Sequence, residues 1–180
     1  MHAPGNTLDL PSVVPPGGLE DKAGRELFRR LAELRAHGGR LVFTNGCFDL
    51  LHPGHVDLLA RARAAGDFLV LGLNSDASVR ALGKGADRPV NPFSVRAFIL
   101  AHLASVDFVA GFDEPDPLKL ILALEPDVLV KGGDWPEERI IGCEDVKARG
   151  GRVLSLPLLE HFSTTALIAR IRKNNTSELP

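Results

Sequence analysis

Two histidines three residues apart, His52 and His55, stand in the run Thr44-Asn45-Gly46-Cys47-Phe48-Asp49-Leu50-Leu51-His52-Pro53-Gly54-His55. Imidazoles at this spacing can face one pocket. As donors they can stabilise charge that builds on a pentacoordinate α-phosphorus and on departing pyrophosphate. Gly46 lets backbone amides approach a phosphate, and Pro53 suits the opening of a helix, whose start adds positive potential. An HxxH pair alone is weak evidence, because an isolated histidine is usually a surface or packing residue. The setting carries the reading: an apolar strand, a glycine turn, His-Pro-Gly-His and then an amphipathic helix. No nearby carboxylate or cysteine completes a metal site at familiar spacing, and none is assigned. Cys47 is read as a small side chain and not as a nucleophile, since the chemistry needs no covalent step.

The elements that must position these groups follow from apolar patterning. Leu27, Phe28, Leu31 and Leu34 recur at helical spacing, and Gly38-Gly39 supply a stop. Leu41-Val42-Phe43 is a short buried strand ending at Thr44-Asn45-Gly46, and Val56, Leu58, Leu59 and Ala62 mark the helix after Pro53. Phe68 to Leu73 is a near-continuous apolar run, as in a parallel strand covered on both faces. Further strands are expected at 106–109, 128–130 and 153–156. Helices are expected at 75–82, 92–103 and 117–124, with a broken segment over 136–149 and a last helix near Ser163. Strands alternating with helices predict an α/β fold, a Rossmann-like doubly wound parallel sheet in one domain, with its crevice at the carboxyl ends of the strands.

Length and composition bound the rest. The 180 residues suit a single core. Residues 20–173 are expected to form the domain, 1–19 a proline- and glycine-rich mobile arm, and 174–180 a frayed tail. With 44% apolar and 24% charged residues, a net charge of −2 and a pI near 6.3, the chain reads as an ordinary soluble protein. It lacks the broad basic face of a nucleic-acid binder. No apolar stretch approaches the roughly 20 residues of a membrane span, and the first residues do not read as a secretory signal. Cys47 and Cys143 are far apart, in no metal spacing, which suits a reducing cytoplasm.

The run Thr44–His55 resembles the HxGH signature of the nucleotidyltransferase superfamily. Within it the chain is similar to the D-glycero-β-D-manno-heptose 1-phosphate adenylyltransferases of bacterial ADP-heptose synthesis. The resemblance extends from about Arg40 to Arg172. It includes Leu73-Asn74-Ser75-Asp76-Ala77-Ser78-Val79, Lys84-Gly85-Ala86-Asp87-Arg88-Pro89-Val90-Asn91-Pro92, Arg96, Lys131-Gly132-Gly133-Asp134 and Phe162-Ser163-Thr164-Thr165-Ala166-Leu167-Ile168. It implies that His52 and His55 contact the α- and β-phosphates and that Lys84, on a closing loop between Gly83 and Gly85, neutralises charge between attacking phosphate and α-phosphate. Thr44, Asn45, Gly46, Cys47, Phe48, Lys131, Gly132, Asp134, Ser163, Thr164 and Thr165 would line the nucleotide pocket. Asp49, Arg88 and Arg96 would hold the sugar phosphate. An outward helix charge or a structural ion pair is the plainer role for Arg96, and a helix N-cap is the plainer role for Ser163-Thr164-Thr165.

The implied reaction transfers AMP from ATP to a sugar 1-phosphate and releases pyrophosphate, with Mg2+ bound mainly through the triphosphate. The partners are then ATP and the sugar 1-phosphate, with no nucleic acid or membrane, and family resemblance makes a homodimer reasonable. Two alternatives stay open. Cytidylyltransferases of glycerol phosphate or amino-alcohol phosphates share HxGH and a terminal STT, but typically place an Arg-Thr pair ahead of it; here Leu158-Leu159-Glu160-His161-Phe162 holds no arginine. His161 also departs from the glycine usual in the heptose branch. The other alternative is a non-catalytic nucleotide-binding module on the same fold.

Overall fold

Three aspartates just ahead of strands show how the sheet is set in register. The computed structural model describes residues 10, 12–83, 85 and 87–175. In it the Asp67, Asp107 and Asp127 carboxylates accept the backbone amides of Arg40, Leu69 and Leu41, each from the start of a neighbouring strand, at 2.7–2.8 Å. The strands so aligned are β1 (Val13–Val14), β2 (Leu41–Gly46), β3 (Phe68–Asn74), β4 (Phe108–Phe112), β5 (Val128–Gly132) and β6 (Arg152–Leu156). They form one sheet in the order β1-β4-β3-β2-β5-β6, and every pairing is parallel. The order reverses at β2, which pairs with β3 on one side and β5 on the other, so the crevice opens beside its carboxyl end.

The helices are α1 (Lys22–Ala36), α2 (Pro53–Arg63), α3 (Asp76–Ala81), α4 (Phe93–Ala101), α5 (Leu118–Leu124), α6 (Cys143–Ala148) and α7 (Thr164–Asn175). Side-chain alternation along each strand feeds two cores. Phe43, Val70 and Leu129 pack under α1, α5 and α6 through Leu27, Leu31, Ile121, Leu124 and Val146. Val42, Leu69, Leu71 and Val130 pack under α2 and α4 through Leu58, Leu59, Ala62, Ala97 and Leu100. The expected α/β architecture, with helices on both faces of a parallel sheet, is the one observed.

Three expectations are corrected. The arm over 1–19 is not wholly outside the fold: Val13 and Val14 pair with Val109 and Ala110, and Val14 is fully buried. The remaining described part of the arm includes a 3-10 turn over Gly18–Glu20; residues 1–9 and 11 lie outside the described residues. The strand expected at 106–109 begins later, at Phe108, because the Val106 amide closes the preceding turn on Leu103 O and Asp107 serves the β3 edge. The last helix runs to Asn175, past the start assigned to the tail, and 176–180 lie outside the described residues. Among the described residues no helix is long and apolar enough to cross a membrane.

Candidate active site

His52 ends the loop after β2 in an extended conformation, and Pro53 and Gly54 begin α2. Proline has no amide to satisfy at a first helical position, and its fixed φ starts the turn. The His55 amide then closes on His52 O at 2.9 Å, bringing the two rings to the same side. They stack with centroids 3.8 Å apart and planes inclined by 18°. Gly54 is what lets them do so. A Cβ there would sit 3.2 Å from both Cε1 and Nδ1 of His52.

Phe48 backs the pair. Its ring is buried and lies 5.0 Å from the His55 ring, tilted by 51°. Its backbone takes the left-handed region, φ 44°, which a bulky residue adopts only under constraint. Gly46 makes room, because a Cβ there would lie 2.8 Å from the Phe48 ring. The buried Phe48 ring therefore packs against His55. Burial lowers the His55 pKa to about 4, helped by the adjacent His52 and opposed by the Leu50 carbonyl. Burial also lowers that of His52. Both imidazoles are thus neutral at neutral pH, each with one N–H to donate. Their Nδ1 atoms are buried without a hydrogen-bond partner in the protein, as is Thr44 Oγ1 on β2.

The other predicted residues surround this pair to different degrees. Across the switch point Lys131 Nζ lies 3.4 Å from Asn45 Oδ1, linking β5 to β2. Gly132 is in close contact with Leu58 and Leu158, where a Cβ would clash at 2.7–2.8 Å, and Asp134 is exposed in the following loop. Cys47 Sγ points to Asn74 Oδ1 at 3.9 Å. Ser163 caps α7, its hydroxyl oxygen accepting the Ala166 amide at 3.1 Å. Thr164 Oγ1 reaches Leu50 O at 3.5 Å, which brings the start of α7 to the loop before His52. A cavity of about 310 Å³ lies between them, lined among others by His52, Pro53, His161, Phe162 and Ser163. Lys84 lies outside the described residues.

Two sugar-phosphate assignments change. Arg96, on α4, is 1% exposed, and its guanidinium is spent on Asn91 O, Cys47 O, Asn74 O and Asp76 Oδ1 at 2.7–3.0 Å. It presents no fork to the cleft. Asp49 is buried too; its Oδ1 accepts the amides of Val90 and Asn91 at 2.8 and 3.0 Å, so it holds the loop ahead of α4. Arg88 keeps looser contacts, 3.6 Å to Asp49 Oδ2 and 3.3 Å to Thr165 Oγ1. Asn74, Asp76 and Asn91 are the residues that sequence reasoning passed over. They sit inside blocks that it singled out, but their role depends on Arg96 and Asp49, partners that lie elsewhere in the chain.

Comparisons with known proteins agree with this geometry. Residues 43–170 match the family described as cytidylyltransferase-like. The chain is 55% identical over 154 residues to the bifunctional protein HldE of Rhodopseudomonas palustris strain BisA53, and 52% identical over 167 residues to that of Acidiphilium cryptum strain JF-5. These alignments cover 86% and 91% of this chain but 31% and 34% of the relatives, so the chain spans about a third of their length. Among solved structures, a lipopolysaccharide core biosynthesis protein from Thermoplasma volcanium GSS1 is 26% identical with a TM-score of 0.57, covering 69% of this chain and all of the other. The matched region begins in β2 and ends in α7, enclosing the imidazole pair and each described segment that faces it: the chain belongs to the cytidylyltransferase-like family and is a nucleotidyltransferase.

Proposed function

We propose that the chain transfers AMP from ATP to a sugar 1-phosphate, D-glycero-β-D-manno-heptose 1-phosphate, giving ADP-heptose and pyrophosphate. The observation that carries this reading is the stacked pair of neutral imidazoles, each with a buried unpartnered Nδ1, at the carboxyl end of the strand where the sheet order reverses. Neutral N–H donors held in place need no reorganisation as charge moves onto phosphate oxygens. The acceptor is supported by the run 158–162, which holds no arginine ahead of α7, by the resemblance to heptose 1-phosphate adenylyltransferases, and by the kinship with HldE proteins and a lipopolysaccharide core biosynthesis protein.

In this scheme an oxygen of the sugar phosphate attacks the α-phosphorus in line. A new P–O bond forms there as the bond to the β-phosphate oxygen breaks, and pyrophosphate leaves. The attacking phosphate is already anionic at neutral pH, so the residues serve to position and to stabilise charge and not to remove a proton. His52 and His55 donate to the α- and β-phosphates. Arg88 meets the acceptor phosphate, and Lys84 neutralises charge between the two reacting phosphates. Asn45, Lys131, Asp134 and the start of α7 hold the nucleotide.

Among the described residues no three His, Cys, Asp or Glu side chains gather into a metal cage. The donors about the imidazoles are amides, hydroxyls and cations, a set that fits phosphate oxygens, so Mg2+ would take its ligands from the triphosphate and water. Bound that way it supplies charge neutralisation across the phosphates. Use of ATP and the two free cysteines suit a cytoplasmic setting.

A matrix of nucleoside triphosphates against sugar and alditol phosphates, read by product mass and pyrophosphate release, tests the reading. ATP with heptose 1-phosphate should give the fastest turnover. Preference for CTP with glycerol phosphate would move the chain to the cytidylyl branch. Binding of ATP with no transfer to any acceptor would make it a nucleotide-binding module.

A further inference from the structure

Three stretches that are far apart in sequence, at Cys47, at Asn74 to Asp76 and at Asn91, meet at one side chain. Arg96 donates from Nη1 to Cys47 O at 2.7 Å and to Asn74 O at 2.8 Å, from Nε to Asn91 O at 3.0 Å, and from Nη2 to Asp76 Oδ1 at 2.7 Å. It thereby ties the loop after β2, the end of β3, the first turn of α3 and the loop before α4. The guanidinium is a buried cation whose one carboxylate partner, Asp76, is partly exposed. Three of its four acceptors are carbonyl oxygens.

The loops it joins are also joined to each other. Asp49 Oδ1 takes the Val90 and Asn91 amides, and Asn91 Nδ2 donates back to Asp49 O at 3.0 Å. Between the two braced residues Cys47 and Asp49 lies Phe48, whose left-handed backbone aims its ring at His55. A loop pinned on both sides of a strained residue can hold that residue only while both pins stand.

We infer that Arg96 is a positioning residue: through Cys47 O and Asn91 O it cross-braces the loops 46–49 and 88–91, and so fixes Phe48, the stacked His52–His55 rings and Arg88 in one arrangement. A planar fork with five donors can span carbonyls on three segments at once. A lysine has one ammonium at the end of a flexible stem and cannot replace it. The catalytic consequence rests on the function proposed above, whereas the placement of the rings does not.

Arg96→Lys and Arg96→Met test this in the full chain, with Asp76→Asn as a milder variant that weakens one of the four bonds. The first readout needs no substrate: the ring-proton NMR resonances of His52 and His55, which report stacking and the nearby Phe48 ring. The second is the split between kcat and KM for adenylyl transfer. In variants that retain a cooperative melt, the histidine resonances should shift and kcat should fall by about 10²-fold, as for an ångström-scale misplacement of catalytic groups, with the KM for the sugar phosphate changed much less. Asp76→Asn should move both readouts in the same direction by a smaller amount, which keeps the test alive if neither Arg96 variant folds. Unshifted resonances in a folded variant would overturn the inference. So would a loss confined to the sugar-phosphate KM, since that is the signature of direct contact with substrate. Shifted resonances in a chain whose wild type transfers no nucleotide would uphold the brace and overturn the proposed function alone.

Discussion

The His55 ring contacts two others, stacking on His52 at 3.8 Å and meeting the tilted Phe48 ring at 5.0 Å. The first contact supplies a second donor, and the second removes water. Together they explain why the His55 imidazole stays uncharged at neutral pH: adding a proton would place a cation in a partly dry pocket beside a second ring that can also become one.

This has a measurable consequence for stability. The His55 pKa is lowered from 6.5 to about 4 in the folded protein, while in the unfolded chain it stays near its ordinary value. Between those values the unfolded chain binds a proton that the folded one refuses. The stabilising contribution is therefore complete above about pH 6.5 and is lost as the pH falls towards about 4. Urea midpoints across this window should fall more steeply for the wild type than for His55→Gln. Parallel slopes would show that His55 titrates normally.

Removing the donor tests its chemistry directly. His55→Ala should lower turnover by about 10² to 10³, the range for losing one preorganised donor. Steady-state pyrophosphate release gives the number. Near-wild-type turnover would leave the residue a packing role only.

Gly54→Ala separates position from stability. A Cβ at this site meets Cε1 and Nδ1 of His52 at 3.2 Å, and only ordinary contact with Phe162 Cβ at 3.5 Å. The ring must move by a few tenths of an ångström. Alanine meanwhile favours a helix over glycine by about 1 kcal/mol. The variant should therefore melt no lower than the wild type yet lose roughly tenfold or more in kcat. A lower melting temperature with unchanged kcat would mean that the backbone yields and not the ring.

Val14→Ala examines the edge strand that composition alone hid. Val14 is fully buried against α1 and β4. Losing its two methyl groups should cost about 2 kcal/mol, combining transfer and cavity effects, or roughly 4–8 °C in melting temperature for a chain of this size. A change within 1 °C would return residues 13 and 14 to the arm.

That strand shows where sequence reading stops. Phe68–Leu73 and Val128–Val130 are legible because a strand covered on both faces must be apolar throughout. Val13-Val14, between Pro11 and Pro15, is too short for any period, and only its partner β4 makes it a strand. The site divides in the same way. His52, Gly54 and His55 are legible because the chemistry is in the two imidazoles and the spacing that brings them together is local. The brace by Arg96 is not, because Cys47 O, Asn74 O and Asn91 O are groups that every residue possesses. An arginine bonded to carbonyls and one that meets a phosphate read alike in one dimension.

Arg88 is the arginine that the proposed scheme gives to the acceptor phosphate. Its side chain is only 10% exposed, yet its contacts, 3.6 Å to Asp49 Oδ2 and 3.3 Å to Thr165 Oγ1, are longer than a charge-assisted hydrogen bond prefers. An anion entering beside Thr165 can therefore take donors that Asp49 and Thr165 hold loosely, and Asp49 keeps its two backbone amides when Arg88 turns away. Hydrogen bonds to a charged group contribute about 1.5–3 kcal/mol, so Arg88→Ala should raise the KM for the sugar phosphate by roughly 10- to 100-fold. The KM for ATP should change by less than about threefold, because the proposed scheme gives the triphosphate to the imidazoles and the start of α7. Initial rates with each substrate varied in turn give both constants. A rise in the ATP constant instead would assign Arg88 to the triphosphate and leave the acceptor to the Lys84 loop.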